Sequence, residues 1–331
     1  MRNFTFKGLF LTAVFTLLGC LSIQAADDDL ITKQITIKLD EAGTLPYKIG
    51  SSKKYKITNL KIVGEINGTD WKMIREMAGR DYENNITAGK LSVLDLSEAK
   101  IVKGGYRYFS GYYPGDNCYT SNDEIGEYAF KGCSGLTSLT LPAGITSISD
   151  YAFYGCSGLT SLTLPAGITS IGSGAFSGCS GLTSLTLPAG ITSIGSSAFV
   201  GCRGLTSLTL PAGITSIGSS AFWDCSGLTS IYVYSEKVPK MGSDVFYGVD
   251  KKNCTLYVPQ GTETDYFLAD VWGDFENIVE FDPTGIDKTT TSTDVEEVSR
   301  YSVNGQRLVG PTKGLNIVKY SDGSVKKVAV E

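Results

Sequence analysis

The chain has 331 residues, a formal net charge of −5 and no histidine. Mild acidity without clustered Lys and Arg excludes a nucleic-acid-binding surface. The missing histidine excludes Ser-His and Cys-His nucleophile pairs and His-ligated zinc, while the length allows one or two domains with a sizeable core.

The first element is MRNFTFKGLFLTAVFTLLGCLSIQAADDD, in which Arg2 and Lys7 flank an apolar run from Gly8 to about Ile23 and Asp27, Asp28 and Asp29 follow. This is the pattern of an export leader over residues 1–25, not of a membrane-spanning helix. Two processing readings stand. Ile23-Gln24-Ala25 suits an ordinary cut before Ala26. Leu17-Leu18-Gly19-Cys20 resembles a lipobox, in which Cys20 becomes a lipidated N-terminus. Either reading exports the protein to the cell surface or the medium, and the lipid would be its sole membrane contact. No later apolar run is long enough to span a bilayer.

Residues 26–124 read as an N-terminal strand and helix cap with a first atypical repeat. Ile35–Leu39 and Tyr55–Ile62 alternate like strands. Gly68 to Gly79 reads as a short helix with Thr69 or Asp70 as its cap and Gly79 as its stop. Leu91 to Ser97 has the look of a first, atypical repeat strand, and the repeating array is expected to begin there. The insertion after it, Gly104 to Asp123, contains GGYRYFSGYYPGDNCY. Tyr106, Tyr108, Phe109, Tyr112, Tyr113 and Tyr119 admit two readings. They could form a patch for carbohydrate or protein, since such rings give rigid contact area. They could instead pack as a lid over the open end of a core.

From Ile125 the chain repeats itself with a period of 23 residues: IGEYAFKGCSGLTSLTLPAGITS, ISDYAFYGCSGLTSLTLPAGITS, then two near-copies and a decaying fifth unit from Ile217. Leu139 and Leu141 alternate with Ser138 and Thr140, so a short strand points leucines inward and hydroxyls outward. Pro142 and Gly144 turn the chain. Ile145 and Ile148 form a second inward pair, and Asp150 to Gly155 is expected to be a helical turn or irregular arc with Ala152 and Phe153 inward. One coil cannot bury these faces, but stacked coils share a continuous core. Cys133, Cys156, Cys179, Cys202 and Cys225 recur at the repeat period. Five stacked positions cannot all pair, and Ser and Gly neighbours complete no metal site, so they read as a buried ladder of small hydrophobes. Cys118 and Cys254 lie outside it, one in each flank.

The outward strand positions carry Ser138, Thr140, Ser161, Thr163, Ser184, Thr186, Ser207 and Thr209, and Thr146, Thr169, Thr192 and Thr215 make another row. Between Ile125 and Ser230 the charges are limited to Glu127, Lys131, Asp150, Arg203 and Asp224. Such a hydroxyl surface is either an adhesive face acting through many weak contacts or the ordinary dress of solvated strands.

The pattern I-x-x-x-A-F-x-x-C-x-x-L-x-x-L-x-L-P, carried by Ile148, Ala152, Phe153, Cys156, Leu159, Leu162, Leu164 and Pro165, resembles the BspA-like leucine-rich repeats of bacterial and protist surface proteins. The resemblance implies a solenoid of short parallel strands over residues 125–281. Its last repeats would be the degenerate Met241–Phe246 and Leu256–Pro259, and Tyr266, Trp272–Phe275 and Ile278 would close it. It also implies a cell-surface binding or adhesion role, including binding to extracellular matrix proteins.

Residues 282–297 are polar and Thr-rich and read as a linker. Residues 298–331 alternate like strands around Asn304-Gly305 and Asp322-Gly323, which are hairpin turns. With Asn304–Arg307, Lys313–Val318 and the closing Lys326-Lys327-Val328, this small all-β segment resembles a C-terminal sorting domain of type IX secretion, although it is shorter and could be a remnant without that role.

The expected function is therefore non-catalytic, with no cofactor and no metal. The partners are a host matrix protein, a glycan or another cell surface, not nucleic acid, and the oligomeric state is open. Two alternatives stand beside it: a passive spacer of the cell envelope, and, less favoured by the residues, an exported glycan hydrolase built on two carboxylates. For the latter, Glu124, Glu127 and Asp150 are scattered along the array's edge with no cleft that the sequence shows.

Overall fold

The computed structural model describes residues 29–111, 117–282, 297–302, 307–311, 313–320 and 325–330. The expected export leader with Cys20, Tyr112, Tyr113 and nearly all of the expected linker lie outside the described residues.

The chain coils into a parallel-strand solenoid of about 10 turns with a period of roughly 23 residues. One side is built from Ile35–Lys38, Asn59–Ile66, Val93–Ile101, Ser138–Thr140 and Ser161–Thr163, and then from Ser184–Thr186, Ser207–Leu210, Ser230–Val233, Thr255–Pro259 and Asn277–Phe281. A second side is a ladder of two-residue strands, Glu124–Ile125, Ser147–Ile148, Ser170–Ile171, Ser193–Ile194, Ser216–Ile217 and Lys240–Met241. Leu139 pairs with Leu162, and Leu185 with Leu208, Ile231 and Leu256 in succession, so like residues stack on like. The inward pair Ile145 and Ile148 is buried, as its spacing predicts, and Ile148 belongs to this second sheet.

The third side is the expected irregular arc. Its turns are tied to one another by backbone bonds such as Phe130 N–H to Ala152 O and Phe153 N–H to Ala175 O, both 2.7 Å. Inside it, Phe130, Phe153, Phe176, Phe199, Phe222 and Phe246 stack with successive centroids 5.3, 5.0, 5.2, 5.2 and 5.6 Å apart. That spacing is close to the ~4.8 Å strand spacing, so the rings rise with the coil. The periodic cysteines form the expected buried ladder of free thiols. The Sγ atoms of Cys156, Cys179, Cys202 and Cys225 each donate to the phenylalanine carbonyl of the preceding coil, as in Cys156 to Phe130 O at 3.0 Å and Cys225 to Phe199 O at 3.1 Å. Val249 follows Gly248 where the earlier units have cysteine, and its N–H reaches Phe246 O as the Cys225 N–H reaches Phe222 O.

Two expectations for the N-terminal region are corrected. The parallel sheet does not begin at Leu91: Ile35 pairs with Leu60 and Leu60 with Leu94, so residues 35–66 are already turns of the same coil. The helix runs Gly68–Met77 and is capped by Asn67, whose side chain accepts from Thr69 N–H at 2.9 Å, while Asp70 accepts from Asn67 N–H at 2.9 Å. Asp70 is not the cap but the acidic third residue of a capping box, and it also takes the N–H groups of Gly43 and Leu45. Gly79, at φ 98°, ends the helix as read.

At the far end Tyr266, Trp272 and Phe275 are buried over Phe246, with Trp272 and Phe275 each 5.4 Å from its ring. The C-terminal segment is a four-stranded antiparallel sheet in the order Arg307–Leu308, Glu297–Ser302, Gly314–Tyr320, Val325–Val330. The buried Arg300 is held by both carboxylate oxygens of Glu297 (3.0 and 2.7 Å) and by Asn316. Among the described residues no helix is long and apolar enough to cross a membrane.

Candidate binding surface

The registers of the two five-stranded sheets that make up the long side sort its outward side chains into three zones. One row reads Thr36, Lys61, Asp95, Thr140, Thr163, and the other five-stranded sheet continues it as Thr186, Thr209, Tyr232, Tyr257, Val279. The N-terminal zone is ionic. Lys61 bridges Glu98 at 2.6 Å and Asp95 at 3.4 Å. Burial pushes the Asp95 carboxyl up, but hydrogen bonds from Ser97 and the Lys61 ammonium outweigh it and leave the group below its ordinary value.

The middle zone is the hydroxyl face. Thr140, Thr163, Ser184 and Thr186 are exposed, and Ser138, Ser207 and Thr209 are half-buried. Ser161 has its place in the ladder, with its side chain outside the description. The adjoining row behaves differently. Thr137, Thr160, Thr206 and Thr229 each donate to the carbonyl of the preceding coil, and Thr146 and Thr215 do the same toward Asp123 O and Thr192 O. Those hydroxyls serve the coil. Thr140, Thr163, Thr186 and Thr209 donate to no protein acceptor among the described residues, so they stay available to a partner.

The third zone is aromatic. Tyr232 and Tyr257 stack at 4.4 Å with 5° between their planes, and Phe281 meets Tyr232 and Tyr234 edge-on at 5.9 and 5.1 Å. Burial beneath these neighbours raises the Tyr232 hydroxyl pKa. The sequence signal was present, since IYVY replaces LTLP in the fifth unit. It reads as decay of the repeat until the register shows Tyr232 in line with Thr209.

The tyrosine-rich insertion divides. It forms an antiparallel hairpin, Gly104–Ser110 with Asn117–Thr120. Tyr106 is 73% exposed and Tyr119 55%. Tyr108 does not belong to any outward patch: it is 1% exposed, its ring lies 6.2 Å from Trp71, and its hydroxyl donates to Glu127 O at 2.9 Å. The reason is carbonyl satisfaction at the open end of the arc. In the next coil Asp150, Ala152 and Tyr154 offer their carbonyls to the N–H groups of Tyr128, Phe130 and Gly132. The equivalent carbonyls of the first unit, Glu127, Ala129 and Lys131, have no preceding arc. Tyr108 takes the first, Trp71 Nε1 and Arg75 take the second, and Arg75 takes the third. Three cap side chains thus stand in for a missing coil, because buried carbonyls left without donors are costly. Arg75 and Trp71 escape sequence reasoning, since nothing in GTDWKMIREM announces contacts more than fifty residues away.

The carboxylates expected to lie scattered also need correction. Glu124, Glu127 and Asp150 line one groove of about 560 Å³ together with Tyr119. Among the described residues there is no group of three or more metal-ligating side chains.

Residues 121–256 match the BspA type Leucine rich repeat region, in six copies. No curated protein matches the chain. Among solved structures, the chain is similar to a leucine rich repeat protein of T. pallidum, with 29% identity, 46% of this chain and 74% of that chain covered, and a TM-score of 0.39. It is similar to the pneumococcal vaccine antigen PcpA, with 18% identity, coverage of 75% and 67%, and a TM-score of 0.38. It is also similar to a leucine rich cell surface protein of Faecalibacterium prausnitzii, with 21% identity, coverage of 67% and 52%, and a TM-score of 0.33. The matched residues 121–256 form the solenoid's middle, whose coils carry the hydroxyl zone.

Proposed function

We propose that this protein is a non-catalytic adhesion protein, exported and displayed at the cell surface or released, which binds a host protein, a glycan or another cell through the outward face of its long side. One observation carries the reading. Thr140 and Thr163 on one five-stranded sheet, and Thr186 and Thr209 on the next, carry unengaged hydroxyls along the same side of the solenoid, and the row ends on the Tyr232–Tyr257 stack. Identical weak contacts at strand spacing favour multivalent attachment, and rigid tyrosines supply anchors. The export leader supports an outside location. The C-terminal antiparallel sheet supports a sorting role for residues 298–331 through its resemblance to type IX sorting domains.

The test is binding of purified protein to host cells and to immobilised matrix proteins, against the triple variant Thr163→Lys, Thr186→Lys, Thr209→Lys. Binding should fall at least about tenfold, equivalent to ~1.4 kcal/mol, with an unchanged circular dichroism spectrum. Full binding by a folded triple variant would remove the hydroxyl face from the reading.

A further inference from the structure

We infer that the groove between the hairpin Gly104–Ser110/Asn117–Thr120 and the second, short-stranded sheet is a binding site for a neutral saccharide. The inference rests on the surface-binding reading and adds to it a second site with a ligand class of its own.

The groove has a volume of about 560 Å³, within the ~300–1,000 Å³ usual for small-ligand sites. Its walls include the carboxylates Glu124, Glu127 and Asp150, the hydroxyls Ser147 and Ser170, and the ring of Tyr119, and among the described residues no Lys or Arg lines it. Carboxylates accept strong, charge-assisted hydrogen bonds from hydroxyl groups. A wall of carboxylates without a cation repels sialylated, sulfated or phosphorylated ligands. Tyr119 is 55% exposed and offers an aromatic face on which the C–H face of a sugar ring can rest. Hydroxyl donors around an apolar face describe a neutral sugar.

The repeat sequence supplies an independent argument. Glu127 and Asp150 hold the third position of their units, and the next three units have Ser173, Ser196 and Ser219 there. Ser149 holds the second position, where the other units have Gly126, Gly172, Gly195 and Gly218. Core and strand residues are otherwise copied almost without change, so the coil does not need these substitutions. They occur beside the hairpin and nowhere else in the array. The internal hydrogen bonds found there engage Asp150 through Oδ1, from Ser173 N–H, and Glu124 through Oε1, from the Ser149 hydroxyl. These two bonds orient Asp150 and Glu124 through one carboxylate oxygen each.

The experiment is a printed array of neutral oligosaccharides (gluco-, galacto-, manno- and N-acetylglucosamine-based) alongside sialylated and sulfated ones, probed with the purified full chain. Calorimetry with the best neutral ligand follows, on wild type, Tyr119→Ala and Asp150→Asn. Retention of neutral glycans is expected, with at least about a tenfold loss of affinity in each variant, ~1.4 kcal/mol, and unchanged thermal unfolding. If Tyr119→Ala disturbs the hairpin, Asp150→Asn decides, because asparagine Oδ1 can still accept from Ser173 N–H. Three results would overturn the inference: no neutral glycan bound, anionic glycans bound instead, or neutral binding untouched by Asp150→Asn. A calcium titration that saturates in wild type and is lost in Asp150→Asn would also overturn it, in favour of a cation site. Host-cell binding that survives in Asp150→Asn but falls in the triple lysine variant leaves the proposed function standing whatever the groove does, so the two readings fail separately.

Discussion

Two positions in every unit hold left-handed backbone, and only one of them looks special in the sequence. The residue before Ala-Phe is Tyr128, Tyr151, Gly174, Ser197 and Ser220 in successive units, and Asp244 stands before Val245-Phe246 in the next, with φ of 56, 54, 60, 57, 56 and 57°. The residue before cysteine is mostly glycine, as in Gly155 and Gly178 at 72 and 76°. A third glycine is required for a different reason. A Cβ on Gly158 would lie 2.2 Å from Ser134 O of the neighbouring coil, whereas one on Gly178 would meet nothing closer than 3.5 Å. Gly178→Ala should therefore cost only the left-handed strain, about 1–2 kcal/mol, and Gly158→Ala should cost more, because a coil must shift to admit it. Urea midpoints of the two variants check this order. The ladder thiols give a pH prediction. Burial pushes the Cys202 thiol from its ordinary 9.0 up to about 12. A raised acid pKa favours the folded state fully below the unfolded value, and that contribution is lost as the pH rises from about 9 towards 12. Stability measured by urea melts should thus fall across that window, and Cys202→Ala should fall less steeply.

At the scale of elements, the cap helix Gly68–Met77 earns its place through side chains that imitate a coil. Arg75 is buried and donates to Tyr128 O at 2.7 Å, Ala129 O at 3.0 Å and Lys131 O at 3.4 Å, and its guanidinium also lies 5.2 Å from the Phe109 ring. Burial lowers its pKa, an effect that nearby thiols and Asp81 only partly oppose. Arg75→Met keeps the volume but leaves carbonyls of Tyr128 and Lys131 without these donors. It should cost about 3 kcal/mol, whereas Trp71→Phe, which spares the Arg75 bond to Ala129 O, should cost less. Thermal unfolding of both variants measures the difference. The helix itself was legible from Gly68 to Gly79, but its role was not, since its partners follow some 53 to 58 residues later in the chain.

For the whole molecule, each coil contacts only its neighbours, so stability should be close to a sum over units and interfaces. Deleting residues 171–193, one complete unit, rejoins Ser170 to Ile194 with Phe153 stacking on Phe199 in place of Phe176. The product should remain folded by circular dichroism, with a smaller urea m-value in proportion to the surface removed. A chain that loses cooperative unfolding would show that the array is not additive. Removing residues 298–331 should leave the solenoid's melt unchanged and, if the sheet there sorts the protein, should shift the protein out of the surface fraction in the native host.

The sequence by itself determined the period, the inward leucines, isoleucines and phenylalanines, the buried thiol ladder and the small C-terminal β unit, because these follow from local alternation repeated at a constant interval. It also marked the outward hydroxyls. Tertiary structure alone decided that the coil extends back to Ile35, that Tyr108 belongs to the core, that Tyr232 and Tyr257 continue the threonine row, and that Glu124, Glu127 and Asp150 share a groove with Tyr119. Each of these is set by register between coils or by contact across more than one period. A repeating sequence states what every coil contains, but where the repeat is broken only the stacking shows which side chains meet.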